Sequence, residues 1–115
     1  MDIIEFRDHC LSLGNVIEKT PFGKFSPKYD SILVFYVAGH MFCFVDIDNF
    51  TFVNLKSTPE EIDSLRMEHS SIGKPLNMSE RHWIQVDFDG DIPDSKIYGL
   101  VDRAFAIVKA KYHKA

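Results

Sequence analysis

The sequence predicts an α+β domain: an antiparallel sheet of four to five strands with an N-terminal, a middle and a C-terminal helix, in the order α-β(3-4)-α-β-α. Three observations carry that expectation. Apolar runs between residues 31 and 55 are separated only by turn residues, so strands cluster together instead of alternating with helices. Thr58-Pro59-Glu60-Glu61 then supplies a helix start, with a capping threonine, a proline at the first helical position and a glutamate that completes a capping box. Finally, Ile97, Val101, Ala104, Phe105, Val108 and Tyr112 form one continuous helical stripe after Pro93-Asp94.

The elements follow in order. Ile3, Phe6, Cys10 and Leu13 recur at helical spacing, with Asp2 as N-cap and Gly14 as a stop. Thr20-Pro21-Phe22-Gly23 interrupts the helix, and an extra strand is expected near Lys24 to Lys28. Ser31 to Ala38 reads as a strand apolar on both faces, turned at Gly39-His40 into Met41 to Asp46. Asp48-Asn49 makes the next turn, and Phe50 to Leu55 completes a meander. The capped helix directs Ile62 and Leu65 to the core and ends near His69-Ser70. Residues 71 to 79 form a loop around Gly73 and Pro75. Trp83 to Phe88 is a further strand, closed by Asp89-Gly90.

The two faces of the central strands pose a packing problem. Ile32, Val34 and Tyr36 point one way and Leu33, Phe35 and Val37 the other; Phe42 and Phe44 likewise oppose Met41, Cys43 and Val45. Three helices cover one face well. The second is expected to pack against a copy of the chain, which predicts a homodimer or a protein partner.

With 115 residues, 45% hydrophobic and 26% charged, the chain is expected to be one domain over residues 1–115, with a core that needs no metal or disulfide staple. A formal charge of −4 is the wrong sign for a dedicated polyanion binder. Two cysteines and no recognisable leader point to a reducing cytoplasm. No apolar run reaches membrane-spanning length.

Chemistry-bearing motifs are scarce. Asp87-Phe88-Asp89-Gly90-Asp91 alternates carboxylates, but a calcium loop would need glycine where Ile92 stands and glutamate where Tyr98 stands, so it reads as an Asp-Gly turn. His9, His40, His69, His82 and His113 share no metal-ligand spacing; His113 is read as part of a frayed C-terminus. Glycine-framed nucleophiles and phosphate-cradling loops are both missing, so neither an enzyme, a metal nor a cofactor is expected. The sole tryptophan lies in Arg81-His82-Trp83, at a strand entry. There the His82 ring is expected to bond a backbone carbonyl beside Trp83. Lys24, Lys56, Arg81, His82 and Trp83 form the candidate binding set, and with Lys19, Lys28 and Tyr29 they would offer basic and stacking groups if the fold gathers them. Glu68 and Glu80 lie in the same neighbourhood and oppose a polyanion.

Phe6 to Leu13, Pro21-Phe22-Gly23, Gly39-x-Met41-Phe42, Asn54-Leu55-Lys56 with Pro59-Glu60, His82-Trp83 and Asp89-Gly90-x-x-Pro93-Asp94 occur in this order. In that set and order the chain resembles the MmcQ/YjbR family of small bacterial proteins over nearly its whole length. The resemblance implies a helix, an antiparallel sheet and flanking helices akin to the secretion-chaperone-like fold, and a DNA-binding role argued from a "double wing" shape. This chain departs from the family pattern in three places: His40 and Glu80 stand where the family carries lysines, and Ala104-Phe105 where it carries Ser-Tyr. Those changes remove phosphate contacts. The sequence therefore favours a non-enzymatic binding or interaction module, with a DNA-binding protein as the alternative.

Overall fold

The computed structural model describes residues 1–24 and 26–112. Its elements are α1 (Ile3–Ser12), β1 (Ile17–Lys19), β2 (Ile32–Val37), β3 (His40–Asp46), β4 (Phe52–Lys56), α2 (Pro59–Glu68), β5 (Ile72–Gly73), β6 (Trp83–Asp87) and α3 (Asp94–Tyr112). The strands form one antiparallel sheet in the order β1-β2-β3-β4-β6-β5. The α+β class holds, with six strands where four to five were expected. The two additions, β1 and β5, are three and two residues long, too short for a period-2 pattern to register. Both lie at the sheet's edges, where short strands limit unwanted pairing. The strand expected near Lys24 to Lys28 does not form. Pro21 and Pro27 open two 3₁₀ turns instead, Pro21–Lys24 and Pro27–Tyr29, because proline suits a first helical position and cannot donate to a sheet. His113 lies outside the described residues.

The helix starts obey local chemistry. The Glu5 N–H donates to Asp2 Oδ1 at 2.9 Å and the Glu61 N–H to Thr58 Oγ1 at 3.3 Å. The return half of the second capping box is replaced: the Glu61 carboxylate accepts from Arg103 on α3 at 2.8 Å, tying α2 to α3. The turn between β2 and β3 also shifts by one residue. Ala38 (φ 52°) and Gly39 (φ 78°) both take the left-handed conformation of a two-residue hairpin turn, so His40 opens β3 and stacks on Tyr112.

All three helices lie on one face of the sheet. Phe6 and Cys10 of α1, Ile62 and Leu65 of α2, and Ile97, Val101, Ala104 and Val108 of α3 pack with Phe35, Cys43, Val53, Leu55 and Ile84 in one continuous core. A register shift after Phe35 corrects the facing read from the sequence: Phe35 pairs with Cys43 and Tyr36 with Met41, so Phe42 is the extra residue of a bulge. Phe42 therefore joins Cys43 and Val45 in the helix-side core, while Met41 moves to the opposite face with Phe44.

Candidate functional site

The opposite face is covered by loops. Ile32, Val34, Phe44 and Trp83 form its floor, all nearly fully buried, with Phe22, Tyr29, Tyr36, Met41 and Met78 packed around them. One covering segment is the pair of 3₁₀ turns and the other is the stretch before β6. The second is held down by Asn54, a completely buried amide in the middle of β4. Asn54 Oδ1 accepts from the Leu76 N–H at 2.8 Å and its Nδ2 donates to Gln85 at 3.4 Å. A buried amide with both ends bonded is a directional anchor that an apolar side chain cannot provide.

Between the two loops the cover is incomplete. A groove of about 310 Å³ runs over Ile32, Met41 and Phe44, walled by Phe22 and Tyr29 on one side and Leu76 and Met78 on the other. Beside it, toward β1, lies an open cavity of about 520 Å³ whose lining includes Lys19, Thr20, Lys24 and Tyr36. Lysines crown three aromatic rings on this face. The Nζ of Lys28 is 4.9 Å from the centroid of Tyr29, that of Lys56 5.6 Å from Trp83 and that of Lys19 5.7 Å from Tyr36. Burial first, then the charge of Lys111, lowers the Lys56 ammonium below its usual range, while burial raises the Tyr36 phenol.

The five candidate residues are only partly gathered. Lys56 is paired across the strands with Trp83 and packs on its ring, and Trp83 lies 6.0 Å from Phe44. Arg81 and His82 are exposed. His82 acts through its backbone and not, as expected, through its ring: its N–H donates to the Ser79 carbonyl at 3.2 Å and its carbonyl accepts from Ser57 at 2.8 Å. Lys24 lines the larger cavity at the β1–β2 end, across β3 from Lys56. Trp83, only 4% exposed, is part of the floor and not a surface for stacking. The groove residues Phe22, Leu76 and Met78 escaped the sequence reading. Their signal was apolar side chains inside otherwise polar loops, which must pack on something.

Elsewhere the ionisable groups serve as braces. Asp91 accepts from the Ser71 hydroxyl at 2.6 Å, from the backbone of Ser70 and Ser71, and contacts the His69 ring at 3.2 Å. The Ser71 hydroxyl foremost holds its carboxyl down at about 2. Lys96 Nζ sits 2.9 Å from the other nitrogen of His69. One tautomer satisfies both contacts, with Nδ1–H donating to Asp91 and Nε2 accepting from Lys96. Gly90 allows this clamp, because a Cβ there would fall 2.2 Å from the Ser71 Cβ. The turn at Gly90 thus forms as read from the sequence, with the Gly90 N–H reaching the Asp87 carbonyl. Cys10 and Cys43, distant in sequence, bring their sulfurs to 4.0 Å inside the core, and burial above all pushes the Cys43 thiol well up. Among the described residues, no group of three or more histidine, cysteine, aspartate or glutamate side chains is placed to hold a metal, and no helix is long and apolar enough to cross a membrane.

Comparison with known proteins agrees with this architecture. The YjbR family profile matches residues 11–107. The proteins named YjbR of Escherichia coli K12 and O157:H7 are each 38% identical over 60 residues, which is 52% of this chain and 51% of theirs. The matched stretch thus spans about half the length of these curated relatives. Among solved structures, the Deinococcus radiodurans protein DR2400, with a DUF419 domain, superposes with a TM-score of 0.85 at 27% identity, over 98% of this chain and 82% of that one. A Pseudomonas syringae protein superposes with a TM-score of 0.72 at 21% identity, over 94% of this chain and 99% of its own; at that identity the likeness speaks for the fold alone.

Proposed function

The chain belongs to the YjbR family, and from that premise we propose that it is a non-enzymatic binding module whose ligand seats in the apolar groove on the loop-covered face. The single observation behind this reading is the groove itself. Its lining is apolar except for Asn77 and the Tyr29 phenol, it is open to solvent, and the loop on its Leu76 side is anchored from below by Asn54. Wet apolar surface gains roughly 25 cal/mol for each Å² withdrawn from water, so an occupant of matching shape is favoured. The reading as a non-enzyme draws support from the thiols, both of which are buried. Two unlinked thiols also support a reducing cytoplasm as its location. A homodimer has less to gain than the sequence implied, because the chain's own loops already bury Ile32, Val34 and Phe44. Light scattering after size exclusion decides that point.

The test of the groove is binding of a neutral solvatochromic dye, Nile red. We expect saturable fluorescence enhancement that is lost in the double variant Leu76→Glu, Met78→Glu, whose positions are in a loop outside the helix-side core. A dye that ignores the protein, or binds both forms alike, sinks the reading.

A second reading, DNA binding, has one observation of its own: the three lysine-crowned rings on a single face. It is opposed by the −4 charge and by the burial of Trp83. Gel retardation at low salt, where phosphate contacts are strongest, is the measurement; free DNA at micromolar protein ends it.

A further inference from the structure

We infer that the groove and the cavity beside it are one elongated site for a small amphipathic carboxylate, its apolar body over Phe44 and Ile32 and its acid group at Lys19 and Tyr36. This rests on the reading of the groove as a binding site and adds the class of ligand. Contiguity is the first ground. The turn Pro21–Lys24 sends Phe22 into the groove and Pro21 and Lys24 into the cavity, and the cross-strand partners Met41 and Tyr36 divide between the two in the same way. The two hollows therefore share a wall along β2 and β3.

Charge is the second ground. The groove offers almost no polar group, whereas the adjoining cavity offers the Lys19 ammonium, the Thr20 hydroxyl and the Tyr36 phenol. Among the described residues no aspartate or glutamate lines either hollow, although acidic residues outnumber basic ones seventeen to thirteen in the chain. Lys28, over the Tyr29 ring in the groove wall, adds a further cation at the rim. An apolar slot with a few polar groups converging at one end is the usual form of a small-molecule site, and about 310 Å³ is at the lower end of the ~300–1,000 Å³ typical of such sites. Loops along both long sides keep a broad protein surface off the floor. Met41 and Met78, unbranched and polarizable, can adjust to chains of differing shape.

The experiment is a methyl NMR titration with decanoate, kept below its micelle concentration. Met41 and Met78 line the groove, while Met67 on α2 is 89% exposed and serves as the internal reference. Saturable shifts at Met41 and Met78, with Met67 unmoved, are expected. Decyltrimethylammonium, with the same chain and opposite charge, should bind about tenfold more weakly, and Lys19→Gln should erase most of that difference. Lys19 is exposed on an edge strand, so the variant leaves the core intact. Equal affinity for the two ions overturns the inference while Nile red binding keeps the groove reading alive; loss of all three ligands takes both down.

Discussion

The two faces of the sheet are built on different principles. On the helix face, three helices with 3.6-residue stripes interlock into a core in which Phe6, Phe35, Val53, Ile84 and Val101 are fully buried. The loop face buries a smaller floor, and its cover is held by point contacts such as the Asn54 amide beneath Leu76. A helix covers a surface continuously because its side chains repeat along a rod. A loop covers only where an individual side chain happens to reach, so gaps remain between anchors. That is why an open apolar groove remains on the loop side, while the larger continuous core lies on the other.

The sharpest way to break this contrast is to cut into each face and compare. Phe6 is surrounded by the rings of Phe35, Phe50, Phe88 and Tyr98, with centroids 5.8–6.4 Å away. Phe6→Ala should cost about 3–5 kcal/mol in urea unfolding. A loss below about 1 kcal/mol would mean that the helix face is not the stable one. On the loop face, Asn54→Ala leaves the Leu76 N–H without its acceptor and should cost about 1–3 kcal/mol. Its more telling readout is hydrogen exchange: protection should fall at Leu76 and stay unchanged at Val101. If both amides change together, the loop is not an independently anchored cover.

A smaller effect of opposite sign is expected at the hairpin joining β2 and β3. Ala38 takes a left-handed conformation that costs a Cβ-bearing residue, and Ala38→Asn creates the Asn-Gly pair such turns favour. Stability should rise by about 0.5–1 kcal/mol, read as a higher urea midpoint with unchanged slope. The least visible effect at neutral pH belongs to Asp91. Its carboxyl is held at about 2, below the ordinary 3.8, so the stability it contributes is complete above 3.8 and lost as pH falls toward 2. Asp91→Asn should flatten the acid limb between those values; wild-type and variant curves that stay parallel would show that the clamp is not linked to protonation.

The sequence alone was enough for whatever depends on near neighbours. The caps at Asp2 and Thr58, the stripe from Ile97 to Val108 and the clustering of β2, β3 and β4 are local chemistry and periodicity. The ordered motifs from Pro21-Phe22-Gly23 to Pro93-Asp94 were enough for the family. The rest needed the chain to be folded. Phe42 changes sides because of a one-residue slip between β2 and β3, and a slip belongs to a pair of strands and to neither alone. Lys56 meets Trp83, and Cys10 meets Cys43, through contacts 27 and 33 residues apart that no spacing rule encodes. The groove is likewise a tertiary property. It is the space left where two loops, distant in sequence, descend onto one sheet face without quite meeting.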